Sequence, residues 1–216
     1  MSYNDIRAAV IKASLDVQKK GLIRGTSGNI SLRSEDGKVI AITPSSIPYE
    51  DLTPEMIPLV DIDGNIVEGD TKPSSELPMH LAVMRARPDV NAVVHTHSKF
   101  STILSIIDEP LPVCTIPLIM YAPNPAPIMP FEFPGSQSLG ESAVKGLGDR
   151  GSAVILAMHG LLTVGKTLDK ALTCTEYIEE GAEIAVITKL ATGETRGIPQ
   201  EKIKEMIQIL MSGRAL

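Results

Sequence analysis

The chain has 216 residues, 43% of them hydrophobic and 21% charged, with a formal net charge of −6. That length can bury a sizeable core without disulfides or a structural metal, and the aliphatic content excludes a disordered chain. The acidic balance argues against a nucleic-acid binder but leaves room for a small anionic substrate in a locally positive pocket.

The N-terminus lacks the basic and apolar blocks of a signal peptide, and no apolar run approaches the ~20 residues of a membrane helix. Two cysteines, Cys114 and Cys174, are too few for a disulfide framework. Together these features favour the cytoplasm, and neither a membrane nor a nucleic-acid partner is expected. With no tryptophan, four tyrosines and three phenylalanines, the core must be aliphatic, and stacking platforms for single strands are not expected.

Residues 4–20 carry Ile6, Ala9, Val10, Ala13 and Val17 on one face, the period of an amphipathic helix, with Gly21 placed to end it. Residues 29–43 alternate around a Ser-Glu-Asp-Gly turn and predict a hairpin. A second hairpin is expected at 57–68, with Asp63-Gly64 at its tip. Ser74 or Ser75 is the expected N-cap of a helix over about 76–86, where Pro78 is tolerated in the first turn. Pro88 closes that segment, and 90–97 reads as a buried strand.

Eight of the sixteen prolines fall between Pro110 and Pro134, which excludes a long helix and a central strand there. Short strands and loops are expected instead, with Gly135 leading into a helix near 137–147. Residues 152–158 predict another buried strand, 168–190 the longest helix, and 200–212 a last helix striped by Ile203, Met206, Ile207, Leu210 and Met211. Apolar strands continue on both sides of the proline-rich stretch, so residues 1–216 read as one domain.

Of the four histidines, His95 and His97 stand two apart at a strand end, where residues i and i+2 share a face. Two neutral imidazoles there suit one divalent cation, or they are simply solvent-facing. His159 ends the second buried strand and is followed by Gly160. Three imidazoles from two strand ends match a catalytic zinc site, against the plainer reading that His159 caps a loop. Glu76 at a helix start is either a favourable first-turn acid or a fourth ligand and general base. His80, four residues on, shares its helical face and reads as supporting or packing. Three loops, 25–29, 43–46 and 73–75, offer hydroxyls and free N–H groups suited to a phosphate. None has the glycine spacing of a Walker or dinucleotide motif.

The ordered set Gly-Thr-Ser-Gly-Asn (25–29), Thr-Pro-Ser (43–45), Pro-Ser-Ser-Glu (73–76), His-Thr-His (95–97) and His-Gly (159–160) resembles the class II aldolase/adducin family. "IPYEDLT" and "RPDVNAVVHTH" strengthen the likeness to its short sugar-phosphate aldolases of the fuculose-phosphate type. The resemblance covers residue 4 to about 190. It implies an α/β fold, a three-layer α/β/α sandwich around a largely antiparallel sheet, assembled as a homotetramer. It also implies zinc on His95, His97, His159 and Glu76, with Glu76 as the acid/base. Gly28, Asn29, Ser45, Ser46, Ser74 and Ser75 would hold the substrate phosphate. Ligand type alone leaves Mn2+, Co2+ and Fe2+ open.

The implied activity is cleavage of a ketose 1-phosphate to dihydroxyacetone phosphate and a small aldehyde through a metal-stabilised enediolate. Glutamate rather than aspartate at 76 favours an aldolase or a methylthioribulose-1-phosphate dehydratase over a sugar-phosphate 4-epimerase. A phospho-oxo-acid decarboxylase and a non-catalytic adducin-like domain are the other readings on this scaffold.

Several positions depart from the aldolase pattern. Ser46 stands where the pattern has glycine. Ile116 stands where it has the tyrosine that protonates the aldehyde, with Tyr121 nearby. Prolines replace glycines at 123–130, and the tail to Leu216 lacks a late tyrosine. All of these touch the aldehyde end of the pocket.

Overall fold

The computed structural model describes residues 2–212. Helix α1 (Tyr3–Lys19) opens with a reciprocal cap: Ser2 Oγ accepts from the Asp5 N–H at 3.2 Å, and the Asp5 carboxylate accepts from the Ser2 N–H at 2.7 Å. It stops where Gly21 turns to φ +72, a left-handed conformation that costs glycine little. Its apolar face, Ile6, Val10, Ala13 and Val17, is buried against the sheet. Each fully buried aliphatic of this kind contributes about 1.5–3 kcal/mol.

The sheet has eight strands: β1 (Asn29–Arg33), β2 (Ile40–Ile42), β3 (Leu59–Val60), β4 (Ile66–Glu68), β5 (Ala92–Thr96), β6 (Ile128–Met129), β7 (Ala153–Leu156) and β8 (Gly160–Gly165). Their spatial order is β4-β3-β2-β1-β5-β8-β7-β6. Every neighbouring pair is antiparallel except β6 with β7. Both expected hairpins form. The proline-rich stretch gives the two-residue edge strand β6 and the short helix α4 (Ile116–Tyr121), because an edge strand tolerates missing N–H donors.

Helices cover both faces, giving the α/β/α layering. On one face α1 and the start of α6 (Leu168–Thr192) bury Ile30, Leu32, Ala92 and Val94. Farther along the same face α3 (Lys99–Ile106), α4, α6 and α7 (Gln200–Met211) enclose Ile155 and Leu161. On the opposite face α2 (Leu77–Ala86) and α5 (Gln137–Leu147) pack on Val93, Val154, Leu162 and Val164. Among the described residues, no helix is long and apolar enough to cross a membrane.

Two local expectations are corrected. Neither Ser74 nor Ser75 is the N-cap of α2; Glu76 holds that position and makes no side-chain cap. Ser74 Oγ instead accepts the Glu76 N–H at 3.2 Å, which makes the turn before the helix and leaves the Glu76 carboxylate free to point elsewhere. His159 does not end a strand that runs into a loop. It lies in a tight turn between β7 and β8, where Met158 adopts φ +56.

Candidate metal centre and phosphate loops

Alternation along β1 and β5 decides which side chains meet. Ile30, Leu32, Ala92 and Val94 face α1, so Asn29, Ser31 and His95 face α2. Asn29 and His95 are direct cross-strand partners. Glu76 heads α2 on this side, His97 follows β5, and the β7–β8 turn carries His159 to the same end of the sheet.

The four groups converge so closely that one ligand atom from each of Glu76, His95, His97 and His159 lies within 4.8 Å of all the others. Glu76 Oε2 is 3.2 Å from His95 Nε2, and Oε1 is 3.3 Å from His159 Nε2. His95 Nε2 and His159 Nε2 are 3.2 Å apart.

His95 Nδ1 lies 3.0 Å from the Leu161 carbonyl, so that nitrogen carries the proton and Nε2 turns its lone pair into the cluster. Burial, and then repulsion from His159 and His97, holds His95 well below the ordinary histidine value. Partial desolvation by its neighbours lowers His97, with His159 adding to it. Burial also lowers His159, partly offset by Glu76. Neutral imidazoles beside a carboxylate are the donor set a divalent cation takes. Glu76 Oε1 is buried without a hydrogen-bond partner, as expected of an oxygen kept for a ligand. The residues therefore fit a divalent metal.

Two glycines permit this approach. A Cβ on Gly28, at φ +86, would stand 2.7 Å from the His95 carbonyl oxygen. One on Gly160 would collide with the Thr96 carbonyl oxygen. Neither position accommodates a side chain without moving the strand that bears His95.

The three small-residue loops meet beside this cluster. The Ser45 N–H donates to the Lys72 carbonyl and the Ser74 N–H to the Thr43 carbonyl, both at 3.0 Å, and Pro44 bridges Pro73. Thr43 exchanges hydrogen bonds with Ile30 on β1. Gly28, Asn29, Ser45, Ser46, Ser74 and Ser75 thus share one end of the sheet with the four candidate ligands. Ser46 is exposed at φ +62, a conformation glycine takes without strain. That accounts for glycine in the related pattern.

Tyr121 lies elsewhere. It stacks on Tyr177 at 5.1 Å and lines a cavity with Ser152, Gly165 and Lys166, at the opposite ends of β7 and β8. Ile116, at the start of α4, is 53% exposed. The tail at Leu216 is outside the described residues.

His80 has the supporting place its spacing from Glu76 suggested, but its partners were not legible in the sequence. His80 is fully buried. Ser31 Oγ is 2.6 Å from its Nδ1, and Asn29 Oδ1 is 2.5 Å from its Nε2. Asn29 Nδ2 in turn donates to Glu76 Oε2 at 2.8 Å. Burial, then repulsion from His95, pushes His80 down to about 3 against a smaller opposing effect of Glu76, so it is neutral. Two further contacts were not foreseen. The Tyr49 hydroxyl donates to the Gly28 carbonyl at 2.7 Å, and the Met158 N–H donates to Ser105 Oγ at 2.9 Å, bracing the turn before His159.

Comparison with known proteins identifies the family. Residues 8–186 match the class II aldolase and adducin N-terminal domain model. A 5-deoxy-D-ribulose 1-phosphate aldolase of Bacillus thuringiensis is 35% identical over 200 residues, covering 93% of this chain and 92% of that protein. An L-fuculose phosphate aldolase of Escherichia coli is 34% identical over 208 residues, covering 96% and 95%. A solved L-fuculose 1-phosphate aldolase superposes with a TM-score of 0.89 at 32% identity, covering 96% of each chain. The chain belongs to the class II aldolase and adducin family, on its metal-dependent aldolase branch.

Proposed function

We propose that this chain is a zinc-dependent aldolase that cleaves a ketose 1-phosphate, fuculose-1-phosphate-like, to dihydroxyacetone phosphate and a small aldehyde. The observation that carries the reading is the convergence of Glu76, His95, His97 and His159 beside three loops suited to a phosphate. The donor set suits zinc, and Mn2+, Co2+ or Fe2+ can occupy the same ligands. Held by these four residues, a divalent cation would supply Lewis-acid stabilisation of the charge that develops beside the carbonyl.

The protein's own residues do the rest. Glu76 moves the proton at the ketone-side carbon. Its partnerless Oε1 suits that task, while Oε2 is held by Asn29. Ser45, Ser46, Ser74 and Ser75 with the Gly28–Asn29 backbone hold the phosphate, supplying binding energy away from the reacting bond. Asn29 gives one amide N–H to Glu76 and has a second for the substrate.

A cytoplasmic homotetramer completes the proposal. Phe131 and Phe133, 51% and 74% exposed, are large apolar side chains that a second copy would cover.

The test is product analysis. Zinc-loaded protein is given fuculose, rhamnulose, 5-deoxyribulose and methylthioribulose 1-phosphates, with a coupled assay for dihydroxyacetone phosphate and mass spectrometry of all products. Release from at least one sugar supports the aldolase. Loss of water, release of carbon dioxide or an isomer of unchanged mass would assign the site to a dehydratase, decarboxylase or epimerase instead.

A further inference from the structure

We propose that His80 is a positioning residue: acting through Asn29, it dictates which end of the Asn29 amide meets Glu76. The inference rests on Glu76 serving as the carboxylate of the metal site.

Four buried side chains form one hydrogen-bonded chain, Ser31–His80–Asn29–Glu76. Its direction is determined by what each atom can do. An ionised carboxylate only accepts, so Asn29 must turn Nδ2 to Glu76 and Oδ1 to His80. The Asn29 oxygen then requires a donor, which makes His80 Nε2 the protonated nitrogen. A neutral imidazole has one N–H, so Nδ1 is bare and accepts from the Ser31 hydroxyl. The opposite tautomer would set a lone pair against Asn29 Oδ1, or flip the amide and set its oxygen against the carboxylate.

The scaffold supports this assignment. Asn29 and Ser31 are two apart on one face of β1, and Glu76 and His80 are four apart on one face of the α2 segment. Strand and helix are thereby clipped at two points. Glu76 Oε2 is anchored from the sheet while Oε1 has no hydrogen-bond partner. His80 itself stays outside the candidate ligand set. Removing its Nε2–H lets the Asn29 amide turn and loosens the carboxylate.

Two measurements test this. Histidine-selective 1H–15N correlation spectra of the wild-type protein report which His80 nitrogen carries the proton. Protonated Nε2 with bare Nδ1 is expected, and the reverse overturns the proposal. Zinc affinity by competition with a chromophoric chelator is then compared between His80→Gln, whose amide reaches the Nε2 position, and His80→Asn, which reaches only the Nδ1 position. His80→Gln is expected within about threefold of wild type and His80→Asn about tenfold weaker at a matched melting temperature. Equal affinities in the two variants overturn the proposal. If His80→Asn does not fold, the wild-type tautomer decides. If the wild type binds no zinc, the metal reading of Glu76 fails by itself and the tautomer still tests the chain.

Discussion

The Asn29 amide nitrogen lies 2.8 Å from Glu76 Oε2, joining the first residue of β1 to the head of α2. Both side chains are buried, so this hydrogen bond lies out of water's reach. Asn29→Asp turns it into two facing carboxylates. The variant is expected to lose about 2 kcal/mol of stability, read as a lowered urea midpoint with an unchanged slope.

The histidines differ in burial, and that separates two kinds of damage. His95 is buried, whereas His97 is exposed. With chelator present, His97→Ala should melt with the wild type and His95→Ala below it. Zinc at a hundredfold excess over its dissociation constant should stabilise the wild type by about 2.7 kcal/mol and both variants by far less. Thermal melts with and without zinc check this.

Acid should destabilise the metal-free protein. His80 has its folded value depressed to about 3 from an ordinary 6.5. Below 6.5 the unfolded chain therefore binds a proton that the native state refuses. The stability is complete above that pH and is lost progressively as pH falls toward about 3, by about 1.4 kcal/mol per pH unit. Urea denaturation at stepped pH should show the decline, and His80→Gln should flatten it by about one proton.

A methyl group at Gly160 would overlap the Thr96 carbonyl in the β5–β8 ladder. Gly160→Ala must push the two strands apart beside His95, His97 and His159. A loss of about 1–3 kcal/mol together with weakened zinc binding is expected. Wild-type zinc affinity in a folded Gly160→Ala protein would contradict this account of the turn.

Much of the frame was legible because it is local. The stripe of α1, both hairpins and the long α6 follow from periodicity and turn residues. The His95–His97 pair follows from strand alternation. Other parts were not legible because their determinants lie far away in the chain. Strand β8 follows β7 after only three residues, through a left-handed Met158 instead of an Asn-Gly turn, so no turn signal separates them. Helix α3 is rich in serine and β-branched residues and has no local side-chain cap. Its first N–H groups, from Phe100 and Ser101, are taken by Glu179 of α6 at 2.8 and 3.0 Å. His80 showed its spacing from Glu76, but its partners Asn29 and Ser31 lie on a strand about fifty positions earlier.

The central claim is that Glu76 and the three histidines form the working metal centre of a sugar-phosphate aldolase. The most direct measurement is dihydroxyacetone phosphate release by one protein preparation as isolated, after chelation, and after zinc reloading, beside Glu76→Gln treated identically. The account predicts release that vanishes on chelation, returns with zinc, and falls by about 10²–10⁴-fold in the variant. Release that survives chelation, or that Glu76→Gln retains in full, would contradict it.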